Sequence, residues 1–169
     1  FGDGLVAHVS FADPSCAKLN TILSGAARAT GCNVHEGGTY LCIEGPQFST
    51  KAESNIYRQW GVEVIGMTNV TEAKLAREAE ICYSTVALPT DYDVWRDAGE
   101  TVTVEQIIEV LNANVEKSKN IIREAVKSLP IDRDCACADA LKDAILTAPE
   151  KVSAEKKMEM ELLLGKYLK

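Results

Sequence analysis

The chain has 169 residues, of which 46% are hydrophobic, and it carries a formal net charge of −7. This length and apolar content favour one globular domain, and charges interrupt the apolar runs well short of the roughly 18 residues that a membrane span needs. The acidic balance disfavours binding to a nucleic-acid backbone, which requires clustered Lys and Arg. We therefore expect a cytoplasmic protein with a small-molecule partner and with neither nucleic-acid nor membrane partners.

The predicted elements alternate between extended and helical patterns. Gly37 and Gly38 tolerate positive φ and favour a tight hairpin, while Ser49 or Thr50 can cap a helix whose Glu53 closes a capping box. Apolar residues recurring at intervals of three and four predict the helices. In chain order we predict a β segment at 6–11, a helix at 14–30, strands at 33–36 and 39–43, a helix at 50–61, a strand at 62–65, a helix at 71–80, a strand at 81–88, and helices at 103–128, 138–146 and 153–168.

The strand at 62–65, the helix at 71–80 and the strand at 81–88 have the spacing of a βαβ unit. Such strands are parallel with a right-handed crossover, so functional groups gather at their carboxyl ends. Met67 and Asp91 both fall at such ends. The pattern predicts an α/β fold in which these two loops meet.

The ends of the chain suggest a piece of a larger domain. Phe1 is not an initiator residue, and the residues after it already have the pattern of an approach to a strand. Residues 147–153 form the one plausible linker. We expect residues 1–148 to be the C-terminal part of a single domain and residues 149–169 to be a C-terminal helix.

Three short segments carry groups that suit a purine nucleoside: residues 44–49, 66–68 and 91–93. Asp91 and Asp93 follow an apolar strand, and because nearby carboxylates repel, one is readily protonated in a dry pocket. Such an acid can protonate N7 of a departing purine while the other accepts from the 6-amino group. Taken alone, an Asp-x-Asp pair more often marks a solvated loop, and a single Phe or Met more often marks core.

Together these segments resemble the 5'-methylthioadenosine phosphorylases of the trimeric purine nucleoside phosphorylase superfamily, over about residues 1–129. The resemblance implies an α/β fold with a central mixed sheet and surrounding helices, incomplete at its N-terminal side because the family's Gly-rich phosphate loop and Arg-His-Gly segment do not occur here. It also implies a homotrimer or dimer of trimers. The implied reaction is phosphorolysis of 5'-methylthioadenosine in purine and methionine salvage, with inorganic phosphate as cosubstrate and no metal or organic cofactor.

The resemblance also assigns roles to residues. Asp91 would be the catalytic partner of N7, Asp93 would support the 6-amino side, and Thr68 would bind phosphate. The 6-oxopurine enzymes of the superfamily carry Asn near Asp91 and Glu after the pocket Phe, so Asp91 and Ser49 favour adenine. Gly66 and Thr71 depart from the Asn and Pro of many members. The implied substrate-binding residues are Phe48, Ser49, Ile65, Gly66, Met67, Val104, Ile107 and Ile108, with His8 reaching the neighbouring subunit.

Six cysteines lack the Cys-x2-Cys pairs and downstream histidines of a zinc module, so we predict no metal site. In the resembled archaeal enzymes, Cys16 and Cys82 align with a disulfide, and Cys135 and Cys137 align with a redox-active Cys-x-Cys pair. The remaining two cysteines have the pattern of buried thiols.

Four alternatives stay open at this stage. The protein can be a broader purine nucleoside phosphorylase acting on adenosine or inosine, or a nucleosidase that uses water. It can also be a truncated, non-catalytic purine-binding fragment. A thiol-dependent redox or metal protein centred on Cys135 and Cys137 is the fourth.

Overall fold

The computed structural model describes residues 1–95 and 103–168. Within these ranges it contains six α-helices, two short strands and two 3-10 turns. The helices are α1 Ala17–Ala29, α2 Lys51–Gln59, α3 Asn69–Glu78, α4 Val104–Lys127, α5 Ala154–Glu159 and α6 Glu161–Leu164; the strands are β1 Tyr40–Cys42 and β2 Val64–Gly66; the turns are Ala136–Asp139 and Pro149–Lys151.

The two strands form a parallel pair connected through α2. Tyr40 lies opposite Val64, and Leu41 lies opposite Ile65. The helix begins after the N-cap Thr50, whose hydroxyl accepts from the Glu53 amide while the Glu53 carboxylate accepts from the Thr50 amide. This is the predicted capping box. A βαβ unit is therefore present, but it lies one step earlier in the chain than predicted.

Three predicted extended segments do not form regular strands in the part of the chain that is described. The predicted hairpin is wrong, because residues 33–36 form no strand and β1 pairs with β2. Residues 81–88 carry no ladder, and residues 6–11 contribute an isolated antiparallel bridge between Ala7 and Ile145. Composition identifies segments that tolerate an extended backbone, whereas a strand exists only where a partner satisfies its amides.

The long helices predicted from apolar spacing are confirmed, with small shifts at their ends. α4 begins after Thr103, whose hydroxyl accepts from the Gln106 amide while the Gln106 side chain accepts from the Thr103 amide. Its C-cap is Ser128, two residues before Pro130. Among the described helices, α4 included, none has a stretch long and apolar enough to cross a bilayer.

The helix predicted at 138–146 is replaced by the turn Ala136–Asp139 and by further turns. The amide of Leu141 donates to Glu80 Oε1 at 3.0 Å, and the carbonyl of Ala144 accepts from the His8 amide at 2.8 Å. Both groups lie near the ends of the predicted helix, where an α-helix leaves amides and carbonyls without internal partners. Here they pair with distant residues, and bonds of the tighter 3-10 type, such as that from the Lys142 amide to the Asp139 carbonyl, take the place of α-helical ones.

The helix predicted at 153–168 is present but divided. Ser153 caps α5 by accepting from the Lys156 amide at 3.1 Å. α5 ends at Glu159. Its C-cap Met160 has a ψ of 7°, which departs from helical geometry, and α6 follows directly.

The chain packs as two compact units. The first comprises Phe1–Leu19, Val70–Ser84 and Ile131–Lys169, and the second comprises Asn20–Asn69 and Thr85–Pro130. Residues 149–169 belong to the first unit, and the division predicted at residue 148 stays a prediction. The core of the first unit contains Leu5, Leu141, Ala144, Val152, Leu164 and Leu168; the core of the second contains Ala26, Ala27, Ile121 and Ala125.

Glu80 is a buried carboxylate in the first unit. Its Oε2 pairs with Lys166 Nζ at 2.5 Å, and its Oε1 accepts from the Tyr167 hydroxyl at 2.6 Å and from the Leu141 amide. Burial opposes ionisation of Glu80, but these donors outweigh it and hold the pKa of the carboxyl below its ordinary value. This one side chain therefore joins the end of α3 to the C-terminal segment.

Candidate functional site

Two of the predicted motifs lie side by side at the carboxyl ends of β1 and β2. Ile43, directly after β1, donates its amide to the carbonyl of Gly66 at 2.9 Å, so the segments 44–49 and 66–68 leave the sheet from neighbouring strand ends. Ligands of parallel α/β sheets bind at this edge. A cavity of about 280 Å³ opens here, lined by the 44–49 segment and by Glu53 and Tyr57 of α2.

Gly45 and Met67 bring these two motifs into contact. Gly45 has a φ of 69°, and a Cβ at this position would lie 2.6 Å from Met67 Sδ. The left-handed conformation favours glycine, and a Cβ here would force the end of the Met67 side chain to shift. The half-buried Met67 therefore packs one loop against the other, while the adjacent Thr68 is exposed.

Gly66 leaves no room for a side chain. A Cβ there would collide with the hydroxyl of Tyr40 on the neighbouring strand. Many members of the resembled family carry Asn at this position. Gly66 replaces it here for a local reason, because a larger residue would require Tyr40 to move. The preceding Ile65 is half-buried within β2.

Phe48 presents its ring to solvent at the cavity. The residue is 85% exposed, whereas the next residue, Ser49, is half-buried before the N-cap of α2. A ring this exposed is not part of a core, which was the plainer interpretation of a single Phe. Its face is available for stacking on a planar ligand.

The third motif is attached to α2 through Asp93. Ser54 of α2 is 1% exposed, and its Oγ donates to Asp93 Oδ2 at 2.5 Å. Asp91 is exposed, and its Oδ1 accepts from the Thr90 hydroxyl at 2.6 Å. The described residues therefore do not supply the dry surroundings expected around Asp91, and its role as the N7 donor stays a prediction.

The chain just before Asp91 is held by α4. Asn114 is buried, and its Nδ2 donates to the carbonyls of Leu88 at 3.2 Å and of Pro89 at 3.1 Å. A buried side-chain amide that donates to two backbone carbonyls holds the backbone of Leu88 and Pro89 in place. Asn114 thus anchors the acidic loop from one side while Ser54 anchors it from the other.

A third anchor lies beyond the acidic pair. The guanidinium of Arg58 on α2 lies over the ring of Trp95, 4.0 Å from its centroid. Sequence reasoning missed Ser54, Arg58 and Asn114. For Asn114 the sequence did contain a signal. It is a polar residue that directly precedes Val115 within the run of apolar residues spaced three and four apart along α4.

The other predicted substrate contacts are spread over both compact units. On α4, Ile107 is half-buried and Ile108 is 51% exposed, while the side chain of Val104 lies outside the described residues. His8 belongs to the first unit and is exposed. The roles predicted for these residues around the 5'-substituent stay predictions.

Comparison with known proteins identifies the family. A family model described as the phosphorylase superfamily matches residues 1–127. The chain belongs to the phosphorylase superfamily. An S-methyl-5'-thioadenosine phosphorylase of Geobacter sulfurreducens is 54% identical over 168 residues, which cover 99% of this chain and 59% of that protein. The chain thus spans about 59% of the length of this curated relative.

Two solved structures extend the comparison. A methylthioadenosine phosphorylase from an Antarctic soil metagenomic library matches with a TM-score of 0.90 at 44% identity, covering 97% of this chain and 58% of that chain. A methylthioadenosine phosphorylase from Schistosoma mansoni in complex with adenine matches with a TM-score of 0.71 at 32% identity, covering 82% and 54%.

These comparisons confirm the predicted α/β nucleoside phosphorylase fold. Of the predicted central sheet, the described residues contain the parallel pair of β1 and β2. The curated relatives of this superfamily member are mostly bacterial, so the resemblance of its cysteines to those of the archaeal enzymes stays a prediction.

Four cysteines of this phosphorylase-superfamily chain converge in the first compact unit. The Sγ atoms of Cys16, Cys82, Cys135 and Cys137 all lie within 4.8 Å of one another, and those of Cys82 and Cys135 are 3.3 Å apart. All six cysteines fall within the described ranges, and each is a free thiol. The predicted disulfide between Cys16 and Cys82 is therefore not formed in the structure, nor is a bond between Cys135 and Cys137.

The surroundings of two of these thiols shift their pKa values in opposite directions. Burial, together with hydrogen bonding to Cys16 and Cys135, raises the pKa of Cys137 to about 12. A hydrogen bond from Cys82 lowers the pKa of Cys135 below its ordinary value. Thiolates packed this closely would repel one another.

Proposed function

We propose that the protein is an S-methyl-5'-thioadenosine phosphorylase, a pentosyltransferase of purine and methionine salvage. Inorganic phosphate attacks C1' of 5'-methylthioadenosine as the bond to the base breaks, which yields adenine and 5-methylthioribose 1-phosphate. The observation that carries the proposal is the cavity lined by the 44–49 motif and α2, with Met67 of the neighbouring 66–68 motif in contact with Gly45. The names of the relatives support the same substrate.

On the base side, Phe48 stacks against adenine or ribose, and the acidic loop meets the purine edge. The exposed ring of Phe48 and the anchored carboxylate of Asp93 support this arrangement. Asp91 protonates N7, which makes adenine a better leaving group. Because Asp91 is exposed in the free chain, its desolvation has to come from the bound nucleoside or from a covering segment.

On the sugar side, the Thr68 hydroxyl donates to phosphate, and the Gly66–Met67 segment lies beside the ribose hydroxyls. The exposure of Thr68 at the end of β2 supports this placement. The ribosyl group becomes cation-like in the transition state, so the protein needs to hold the phosphate anion beneath it and protonate the base above it. This chemistry requires no metal or organic cofactor.

The assembly we propose is a cytoplasmic homotrimer or dimer of trimers. In such an assembly His8 of one subunit reaches the 5'-substituent pocket of the next, where Val104, Ile107 and Ile108 surround the methylthio group. The exposure of His8 and Ile108 in the single chain supports contacts with a neighbouring copy. Sedimentation velocity of the full-length protein tests this proposal, and a monomer at assay concentration would contradict it.

The decisive experiment measures adenine release from 5'-methylthioadenosine by the full-length protein, with and without inorganic phosphate. We expect release that depends on phosphate and yields 5-methylthioribose 1-phosphate. Equal release without phosphate would identify a nucleosidase. Faster turnover of adenosine or inosine than of 5'-methylthioadenosine would identify a broader purine nucleoside phosphorylase.

A non-catalytic purine-binding role is the second candidate for the chain by itself. It is favoured by the presence of the base-side motifs without a Gly-rich phosphate loop in the 169 residues. Isothermal titration of this chain with adenine and with phosphate separates the two functions. A binding module takes up adenine and never releases it from the nucleoside.

A further inference from the structure

We propose that Cys16, Cys82, Cys135 and Cys137 bind one Zn²⁺ ion as a tetrahedral tetrathiolate site. The four residues come from the three separate chain segments that make up the first compact unit. Their spacing along the sequence does not match a zinc module, and only the fold brings them together. The site lies outside the phosphorolysis machinery proposed above, which draws on other residues.

The distances between the sulfur atoms fit a single zinc ion. Zn–S bonds of about 2.3 Å in a tetrahedron place the sulfurs about 3.8 Å from one another. The four Sγ atoms lie within 4.8 Å of one another, and the pair Cys82 and Cys135 is at 3.3 Å. Side-chain adjustments of about 1 Å or less would bring all four into coordination.

The donor set selects the metal. Four soft thiolate ligands without a carboxylate or imidazole favour Zn²⁺ or iron over Mg²⁺, Ca²⁺ and Mn²⁺. Cys16 and Cys137 are 4% and 9% exposed, so two of the four ligands are buried. Four protein ligands leave no open coordination position, which is the arrangement of structural zinc sites.

The residues around the thiols would hold the ligands in place. Cys16 donates its amide to the carbonyl of Tyr83 at 2.7 Å, which joins the loops that carry Cys16 and Cys82. The amide of Cys137 donates to the sulfur of Cys135. Lys18, two residues after Cys16, forms an ion pair at 2.8 Å with Asp134, which directly precedes Cys135. Such outer contacts orient the ligands of metal sites.

Zinc at this position would fasten the first unit. The cysteines lie in the segment before α1, just after α3 and at the start of the turn Ala136–Asp139. A metal that binds the folded but not the unfolded chain stabilises the fold by mass action. We expect loss of zinc to lower the melting temperature by about 5–10 °C when free Zn²⁺ exceeds its Kd about 100-fold.

The test is a cobalt titration of the full-length protein, reduced and kept under nitrogen. We expect one equivalent of Co²⁺ to produce the intense visible bands of a tetrahedral centre and thiolate-to-cobalt charge transfer. One equivalent of Zn²⁺ should then bleach both. Cobalt that binds without these bands would overturn the proposal. So would a protein that is isolated with these cysteines as disulfides and that binds no cobalt after reduction.

Two variants and a control locate the site. Cys137→Ala and the less buried Cys135→Ser should each lose the charge-transfer bands and the zinc-dependent rise in melting temperature. Cys42→Ala removes a half-buried thiol of β1 outside the cluster and should keep both. Unchanged bands in Cys135→Ser, or isolation of the wild-type protein with a tetrathiolate iron centre, would contradict the zinc assignment. The wild-type titration decides the question even if Cys137→Ala fails to fold.

Discussion

The hydroxyl of Ser54 donates to a carboxylate oxygen of Asp93 at 2.5 Å, and so joins the buried face of α2 to the acidic loop. α2 also lines the cavity through Glu53 and Tyr57. One helix therefore positions both the wall of the cavity and the loop that would meet the purine. Since Ser54 is buried, the hydrogen bond is protected from competition with water.

Ser54→Ala should lower kcat/KM for 5'-methylthioadenosine about tenfold, because a hydrogen bond to a charged group contributes about 1.5–3 kcal/mol and the loop loses this anchor. Steady-state kinetics of the full-length protein measure the effect. The matched control is Asn55→Ala, which changes the neighbouring exposed residue of the same helix. Equal kinetics for the two variants would remove Ser54 from the site.

Asp91→Ala should reduce turnover roughly 100-fold or more, which is the usual contribution of a general acid. The circular dichroism spectrum should be unchanged, because the side chain is exposed and, among residues 1–95 and 103–168, it is hydrogen-bonded only to the adjacent Thr90. Asp132→Ala, at another exposed carboxylate, serves as the control. An active Asp91→Ala protein would overturn the role proposed for this residue.

Asp91→Asn tests the preference for an amino purine. The amide should raise activity on inosine relative to adenosine, because the 6-oxopurine members of the superfamily carry Asn near this position. The measurement is the ratio of kcat/KM for the two nucleosides. An unchanged ratio would contradict the assignment of this loop to the 6-position.

Gly45→Ala should destabilise the protein by about 1–3 kcal/mol, since alanine would be forced to a positive φ and its Cβ would press against Met67. Urea unfolding gives the free energy. Gly25→Ala is the matched control, because a Cβ there would meet no described atom within 4 Å apart from its chain neighbours and its own helix backbone, and Gly25 is exposed on α1. That substitution should stabilise by up to about 1 kcal/mol. Equal effects of the two substitutions would refute the argument from the loop contact.

Glu80→Gln should lower the free energy of unfolding by about 2 kcal/mol near pH 7, because the charged acceptor of three donors is lost. The folded-state pKa of Glu80 is depressed, so its contribution is fully present above the ordinary Glu pKa of about 4.3 and is lost as the pH falls through the lower folded value. Urea unfolding from pH 7 to pH 3 should therefore show the two proteins converging in acid.

Glu109→Gln, at an exposed position on α4, provides the control for general charge effects. Its difference from the wild type should stay small across the same pH range. A Glu80→Gln difference that persisted unchanged at pH 3 would show that packing, and not the ionised carboxylate, stabilises this part of the first unit.

Much of the local structure follows from short-range patterns. Thr50 with Glu53, and Thr103 with Gln106, satisfy the first free amides of their helices from within four residues. The motifs at 44–49 and 66–68 were recognisable for a similar reason, since each is a continuous loop after an apolar segment. Their family is confirmed by the comparisons, while the roles of their individual residues stay predictions.

The strands and the anchors depended on residues far apart in the chain. Residues 81–88 have the composition of a strand but no ladder, and Leu141 gives its amide to Glu80 where an α-helix was predicted. Asn114 and Ser54 attracted no notice in the sequence because their partners lie 26 and 39 residues away.

The amino-acid sequence by itself determined the helices α1 to α4, the caps of α2 and α4 and the family motifs, because those depend on contacts within a few residues. Only the tertiary structure decided which strands pair, what holds the acidic loop, and that thiols from three distant segments share one small volume. These pairings depend on which donors, acceptors and sulfur atoms lie close together in the folded chain. The pattern of residues along the sequence does not contain those spatial distances.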